Sequence, residues 1–146
     1  YMLRLRKDIP EVPYPLGTIG GYFACEDRWL KDMHNFPVII QGSLLASGNP
    51  FRSLEGFPKT VRGEVVLSLY PNMPLMRILQ SFIEDIVVFI DETVPYNVKL
   101  DLQEIINQYK NQGNKGVLLA AAEILKKTKS EWIPKYKYDG SAHARL

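Results

Sequence analysis

Apolar and basic side chains alternate from Met2 to Arg6, the period of two that suits a half-exposed strand. Pro10, Pro13 and Pro15 then forbid a helix, because each fixes its own φ and removes a backbone donor. Gly17, Gly20 and Gly21 bracket a short strand-like run, Tyr22–Ala24, and Trp29, Leu30 and Met33 suit one helical turn that Pro37 ends. Val38–Ala46 opens with β-branched residues and closes at the turn Ser47-Gly48-Asn49-Pro50. Val61–Tyr70 is the strongest strand, with Val65, Leu67 and Leu69 on one face and Val66, Ser68 and Tyr70 on the other. Four strands at these spacings favour antiparallel pairing over βαβ crossovers.

The second half reads as helical. Leu75, Ile78, Leu79, Phe82, Ile86 and Phe89 recur at helical spacing, which predicts a helix running from Pro74 to about Ile90, with Pro95 as its breaker. Asp101 followed by Glu104 looks like a capping box opening a second helix on Leu102, Ile105, Ile106 and Tyr109. Gly113 ends it and Asn114 caps a third, built on Val117, Leu118, Ala121, Ala122, Ile124 and Leu125. Lys126, Lys127 and Lys129 complement that helix's negative end. The expectation is an α+β fold: antiparallel sheet from the first half, packed with about three helices from the second. It forms a single compact domain over 1–146, with 141–146 as a frayed tail, no internal repeat and no linker.

Composition changes this picture little. With 146 residues, 46% of them hydrophobic and 23% charged, the chain has the makings of one globular core. The single cysteine, Cys25, cannot make an internal disulfide, and no apolar run approaches the ~20 residues of a membrane span. Tyr1–Pro10 lacks the apolar centre of a secretion signal, so a soluble, non-secreted chain is expected.

Charge says more. Between Ser81 and Glu104 six acids, including Glu84, Asp85, Asp91 and Glu92, stand against Lys99 alone. From Lys110 onward the bases Lys110, Lys115, Lys126, Lys127, Lys129, Lys135, Lys137 and Arg145 outnumber three acids, and Arg4, Arg6 and Lys7 form a second basic group. Solvated helix faces account for much of this. Basic residues interleaved with Tyr136 and Tyr138 also suit the phosphates of RNA or anionic lipid. The acidic stretch, Glu84, Asp85, Asp91 and Glu92, is the candidate oligomer contact, since opposite-signed ends can pair head to tail.

Catalytic chemistry is poorly supplied. His34 and His143 are far apart and neither makes a metal spacing with Cys25. No phosphate-binding glycine motif or nucleophile elbow occurs, so no catalytic residue, metal or cofactor is expected. Pro10-Glu11-Val12-Pro13, Asn49-Pro50-Phe51 and Tyr70-Pro71 with Leu75 match short peptide signals, but the matches carry little information and turn and strand-end roles explain them better.

The order of features resembles the small matrix proteins of negative-strand RNA viruses, closest to the bornavirus matrix protein. The resembling residues are the opening Tyr1–Lys7, the stretch from Tyr70-Pro71 into Leu75–Ile90 with Ile83-Glu84-Asp85, and Asn114–Ala122. A fainter similarity to rhabdovirus matrix proteins lies in Arg62-Gly63-Glu64-Val65 and Arg77-Ile78-Leu79, but their P-P-x-Y motif is absent. The resemblance implies a non-enzymatic virion protein beneath the envelope that forms homo-oligomers such as tetramers. It implies binding to the inner leaflet and to ribonucleoprotein or single-stranded RNA, with the phosphoprotein or glycoprotein tail as further partners. Host cytoplasm, the inner face of host membrane and the nucleus are its implied locations. Two alternatives stand beside it: an RNA-binding oligomer without a membrane role, and a cellular adaptor domain using its acidic helix as a partner surface.

Overall fold

The computed structural model describes residues 1–90, 96–128 and 144–145. Its strands are β1 (Met2–Arg4), β2 (Thr18–Ile19), β3 (Tyr22–Ala24), β4 (Ile39–Ile40), β5 (Leu44–Leu45), β6 (Thr60–Ser68), β7 (Phe82–Ile90) and β8 (Ala144–Arg145). Two helices, α1 (Tyr96–Tyr109) and α2 (Gly113–Thr128), follow β7, and short 3-10 segments cover Leu75–Gln80 and Lys110–Gln112.

The first seven strands pair only in parallel, which overturns the expected antiparallel sheet. Phe23 lies beside Leu44, Leu44 beside Val65 and Val65 beside Ile86, a step of 21 residues each time. A second ladder runs beside the first, with Ile39 against Thr18 and Thr60 against Ile39, again 21 apart. The chain therefore winds as a solenoid whose successive coils stack at the ~4.8 Å spacing of neighbouring strands. The repeat that sequence reading missed is visible in hindsight: Phe36-Pro37 recurs as Phe57-Pro58, and Gly21 as Gly42 and Gly63.

Each repeated position has a physical task. Phe23, Leu44, Val65 and Ile86 form one buried column, and Cys25, Ala46, Leu67 and Val88 the next. Phe36 meets Phe23 edge-on at 5.2 Å and Phe51 at 6.2 Å, the favoured aromatic geometry. Gly21, Gly42 and Gly63 stack where the two ladders meet; a Cβ on Gly42 would stand 2.8 Å from the Gly21 carbonyl. The tight bends recur too. Asp27 (φ 56°) and Gly48 (φ 75°) are left-handed at equivalent positions, as are Asn35 (φ 64°) and Gly56 (φ 89°).

Arg28, Asn49 and Tyr70 occupy one further buried column, where polar atoms must find partners. Asn49 Oδ1 accepts from the amides of Arg28 (3.0 Å) and Leu30 (3.1 Å) in the preceding coil. Its Nδ2 donates to the carbonyls of Cys25 (2.8 Å) and Ala46 (3.1 Å). Arg28 in turn donates through Nε to the Leu5 carbonyl at 2.8 Å, tying coil two to coil one.

The predicted helix over Pro74–Ile90 is the largest local correction. Leu75–Gln80 is a 3-10 turn and Phe82–Ile90 is β7, so the apparent 3.6-residue period merges the inward residues of two different elements. The predicted capping box also falls away. Asp101 lies inside α1 and pairs with Lys127 of α2 at 3.1 Å. Asn114 caps no helix by its side chain; its Nδ2 donates to the carbonyls of Ile83 (3.3 Å) and Glu84 (3.1 Å) on β7. Through Leu118, Ala121 and Ile124, all fully buried, α2 closes the last coil, as solenoid ends require. β8 adds antiparallel to β7 at Phe89 and Ile90.

Candidate binding surface

Strand geometry sends alternate side chains to opposite faces, so the buried columns leave a matching set facing outward. In the first ladder these are Arg4, Ala24, Leu45, Val66 and Val87, aligned across five strands. A parallel row carries Met2 beside Tyr22 and Glu64 beside Asp85. Ala24, Ser43, Ser47 and Ser68 make a buried floor of small side chains, Leu45 and Val66 are half-buried, and Tyr22 and Asp85 stand exposed at the margins. The floor is rigid as well as small: Ser43 Oγ accepts from the Glu64 amide and Ser68 Oγ from the Gly48 amide, both at 2.9 Å.

Electrostatics vary along this face in the order of the coils. Its first-coil end carries Arg4; its last-coil end carries Glu64 and Asp85. Arg4 pairs with Glu26 at 3.3 Å in a half-exposed contact, and Arg6 with Asp8 at 3.0 Å in a largely exposed one that is worth little to stability.

The candidate lipid- or RNA-binding residues fall into two separated groups. Arg4, Arg6 and Lys7 belong to the first coil, whereas Lys110, Lys115, Lys126 and Lys127 sit on the helical unit over the last. Four strand spacings, roughly 19 Å, separate β1 from β7 in the first ladder. Within the helical unit, Lys110 and Lys115 lie at one end of α2 and Lys126 and Lys127 at the other. Lys129, Lys135 and Lys137 lie outside the described residues, as do Asp91 and Glu92 of the candidate oligomer contact. Glu84 and Asp85 of that contact are exposed on β7.

Two of the short peptide matches are built into the core. Asn49 and Phe51 are fully buried, and Tyr70 and Leu75 are 6% and 2% exposed, so neither sequence can be read from outside. Pro10 and Glu11 are exposed and line a cleft of about 300 Å³ with Trp29 and His34, whereas Pro13, also exposed, lines a separate cavity with Leu3 and Leu5. A larger cleft, about 500 Å³, separates Met73–Arg77, where the 3-10 turn begins, from Ala122, Leu125 and Lys126 of α2.

Among the described residues no group of three or more His, Cys, Asp or Glu side chains could hold a metal ion, and no helix is long and apolar enough to cross a membrane. Cys25 is fully buried, and burial first, then the nearby Glu26, pushes its thiol well above the usual cysteine range. A thiol held neutral in the core is structural. Comparison of the chain with protein-family models, curated proteins and solved structures finds no match.

Proposed function

We propose that this chain is a non-catalytic binding module, an adaptor that docks a protein partner on the outward face of its first ladder. The observation that carries the reading is the in-register alignment of five parallel strands. It presents Tyr22, Leu45, Val66 and Asp85 as one continuous surface on a floor of small buried side chains. Stacked coils are a rigid support, and extended sheet faces of this kind are what solenoids use for recognition. A mixed surface of one aromatic, two aliphatic and several charged positions suits a protein better than a small molecule.

The test is affinity capture from cells producing three folded forms: wild type, Tyr22→Ala/Asp85→Lys on the face, and Lys31→Glu on a connecting loop. The reading expects the same proteins held by wild type and by Lys31→Glu, and lost from the face variant. Identical capture by all three forms, or none by wild type, contradicts it.

A second reading is supported by Lys110, Lys115 and Lys126, which are exposed and have no acidic partner among the described residues. In it the chain binds anionic lipid or RNA and assembles in a virion, as the matrix resemblance implies. Three such lysines contribute about 3 kcal/mol at an anionic membrane, so this role depends on many copies acting together. Co-sedimentation with phosphatidylserine vesicles that is abolished by Lys110→Glu/Lys115→Glu would favour it; no sedimentation of wild type would remove it.

A further inference from the structure

The second ladder has an outward face of its own, set apart from the first by the stacked Gly21, Gly42 and Gly63. Ile19, Ile40, Val61 and Ile83 lie in register and turn inward, the first three buried and Ile83 half-buried against the core. Strand alternation therefore sends the neighbouring register row, Thr18, Ile39, Thr60 and Phe82, outward. Ile39 and Thr60 are half-buried, but Phe82 is 59% exposed, and Val38, next to Ile39 in the chain, is 46% exposed. Phe82 stands out on β7, where every other apolar side chain is buried or half-buried. Apolar positions gathered on a sheet face and rimmed by charge mark an interaction surface.

The rim indicates what covers it. Immediately beyond the inward pair Val61–Ile83 stand Arg62 on β6 and Glu84 on β7, both exposed. Among the described residues neither has an ion-pair partner. Row and rim are complementary to themselves. A two-fold axis along the strands, between β6 and β7, brings two copies face to face and sets each coil-three position opposite a coil-four position of the partner. Arg62 of each copy then meets Glu84 of the partner subunit, and Phe82, the bulkiest side chain of the row, packs on the small Thr60 of the partner subunit, with Ile39 bordering the contact.

We infer that a second copy of this chain covers the second ladder, the two sheets stacked face to face as a closed pair. Burial of Phe82 and its neighbours drives the association, and the two symmetric Arg62–Glu84 contacts fix its register. Head-to-tail growth does not follow from this face: acid and base lie side by side on one patch, so the contact closes after two copies. The face is separate from that of the first ladder, so the pair stands or falls independently of the adaptor reading.

Sedimentation equilibrium of the full chain at low salt, from about 10 μM to about 1 mM, reads the assembly, a range suited to a small and reversible interface. Wild type should pass from the mass of one chain to that of two across this range and go no further. Phe82→Ser should weaken association about tenfold or more while leaving the circular dichroism spectrum unchanged. The deciding test is a pair of charge reversals. Arg62→Glu puts only acids at the contact and Glu84→Arg only bases, so each variant alone should associate about tenfold more weakly than wild type, or less. Mixed in equal amounts, the two variants should associate about as tightly as wild type, because both contacts of the mixed pair join opposite charges. Wild type that remains single-copy at the highest concentration would overturn the inference, as would masses beyond two chains. Undiminished association of Phe82→Ser or of either reversal alone, or a mixture no tighter than its components, would overturn it equally.

Discussion

Asn49→Ala is the substitution that tests the solenoid's internal wiring most severely. The Asn49 side chain is fully buried and makes four short hydrogen bonds: three join it to the preceding coil, accepted from Arg28 and Leu30 and donated to Cys25, and the fourth is donated to Ala46 in its own coil. Alanine removes the side chain's own cost of burial but leaves two amides and two carbonyls without partners in a dry interior. Each net hydrogen bond is worth about 1 kcal/mol, and an orphaned buried group costs about 1–3 kcal/mol, so the total loss is about 4 kcal/mol. Trp29, held left-handed at φ 60° between the two bonded amides, loses that restraint as well. For a chain of this size the fall in Tm is roughly 8–16 °C. Urea unfolding followed by circular dichroism measures it, with Lys31→Ala on an exposed loop as the control, expected within about 0.5 kcal/mol of wild type. A loss below about 1 kcal/mol for Asn49→Ala would refute the inter-coil role given to this residue.

Further outcomes follow from the glycine column, the thiol and a left-handed turn. Gly42→Ala should destabilise by several kcal/mol, because its methyl would press on the Gly21 backbone, whereas Gly20→Ala, with open space around its Cβ, should be neutral or slightly stabilising; thermal melts of the pair check this. Cys25 is held neutral when folded but ionises above about pH 8.5 when unfolded, so its contribution is complete below that pH and erodes as pH rises. Between pH 8 and pH 10 the stability of wild type should therefore fall about 2 kcal/mol further than that of Cys25→Ala in parallel urea titrations. Asn72→Gly at φ 67° should stabilise the fold by up to about 1 kcal/mol, while Asn72→Val should cost more than that, again by urea titration.

Several elements were legible from the sequence because their signals are local. The strand read at Val61–Tyr70 is β6, Tyr22–Ala24 is β3, and Val38–Ala46 contains β4 and β5. The Gly113 break also lies where α2 begins. Pairing direction was not local. Short strands separated by proline- and glycine-rich segments look the same whether the chain doubles back or winds onward, and only the 21-residue step distinguishes them. That step is hard to see because its shared positions tolerate Phe, Leu, Val and Ile alike. The Arg28–Asn49–Tyr70 column even changes chemical class. At Leu75–Ile90 the inward residues of a 3-10 turn and a strand fell by coincidence at helical intervals. The outward face could not be foreseen at all, since knowing that Tyr22 and Asp85 share a row requires the register.

The parallel winding is tested most directly by cross-strand nuclear Overhauser contacts in the isotopically labelled chain. The account predicts amide-to-Hα contacts linking Phe23 with Leu44, Leu44 with Val65 and Val65 with Ile86, without the short Hα–Hα contacts that antiparallel neighbours produce. Strong Hα–Hα contacts between any two of β3, β5, β6 and β7 would contradict it.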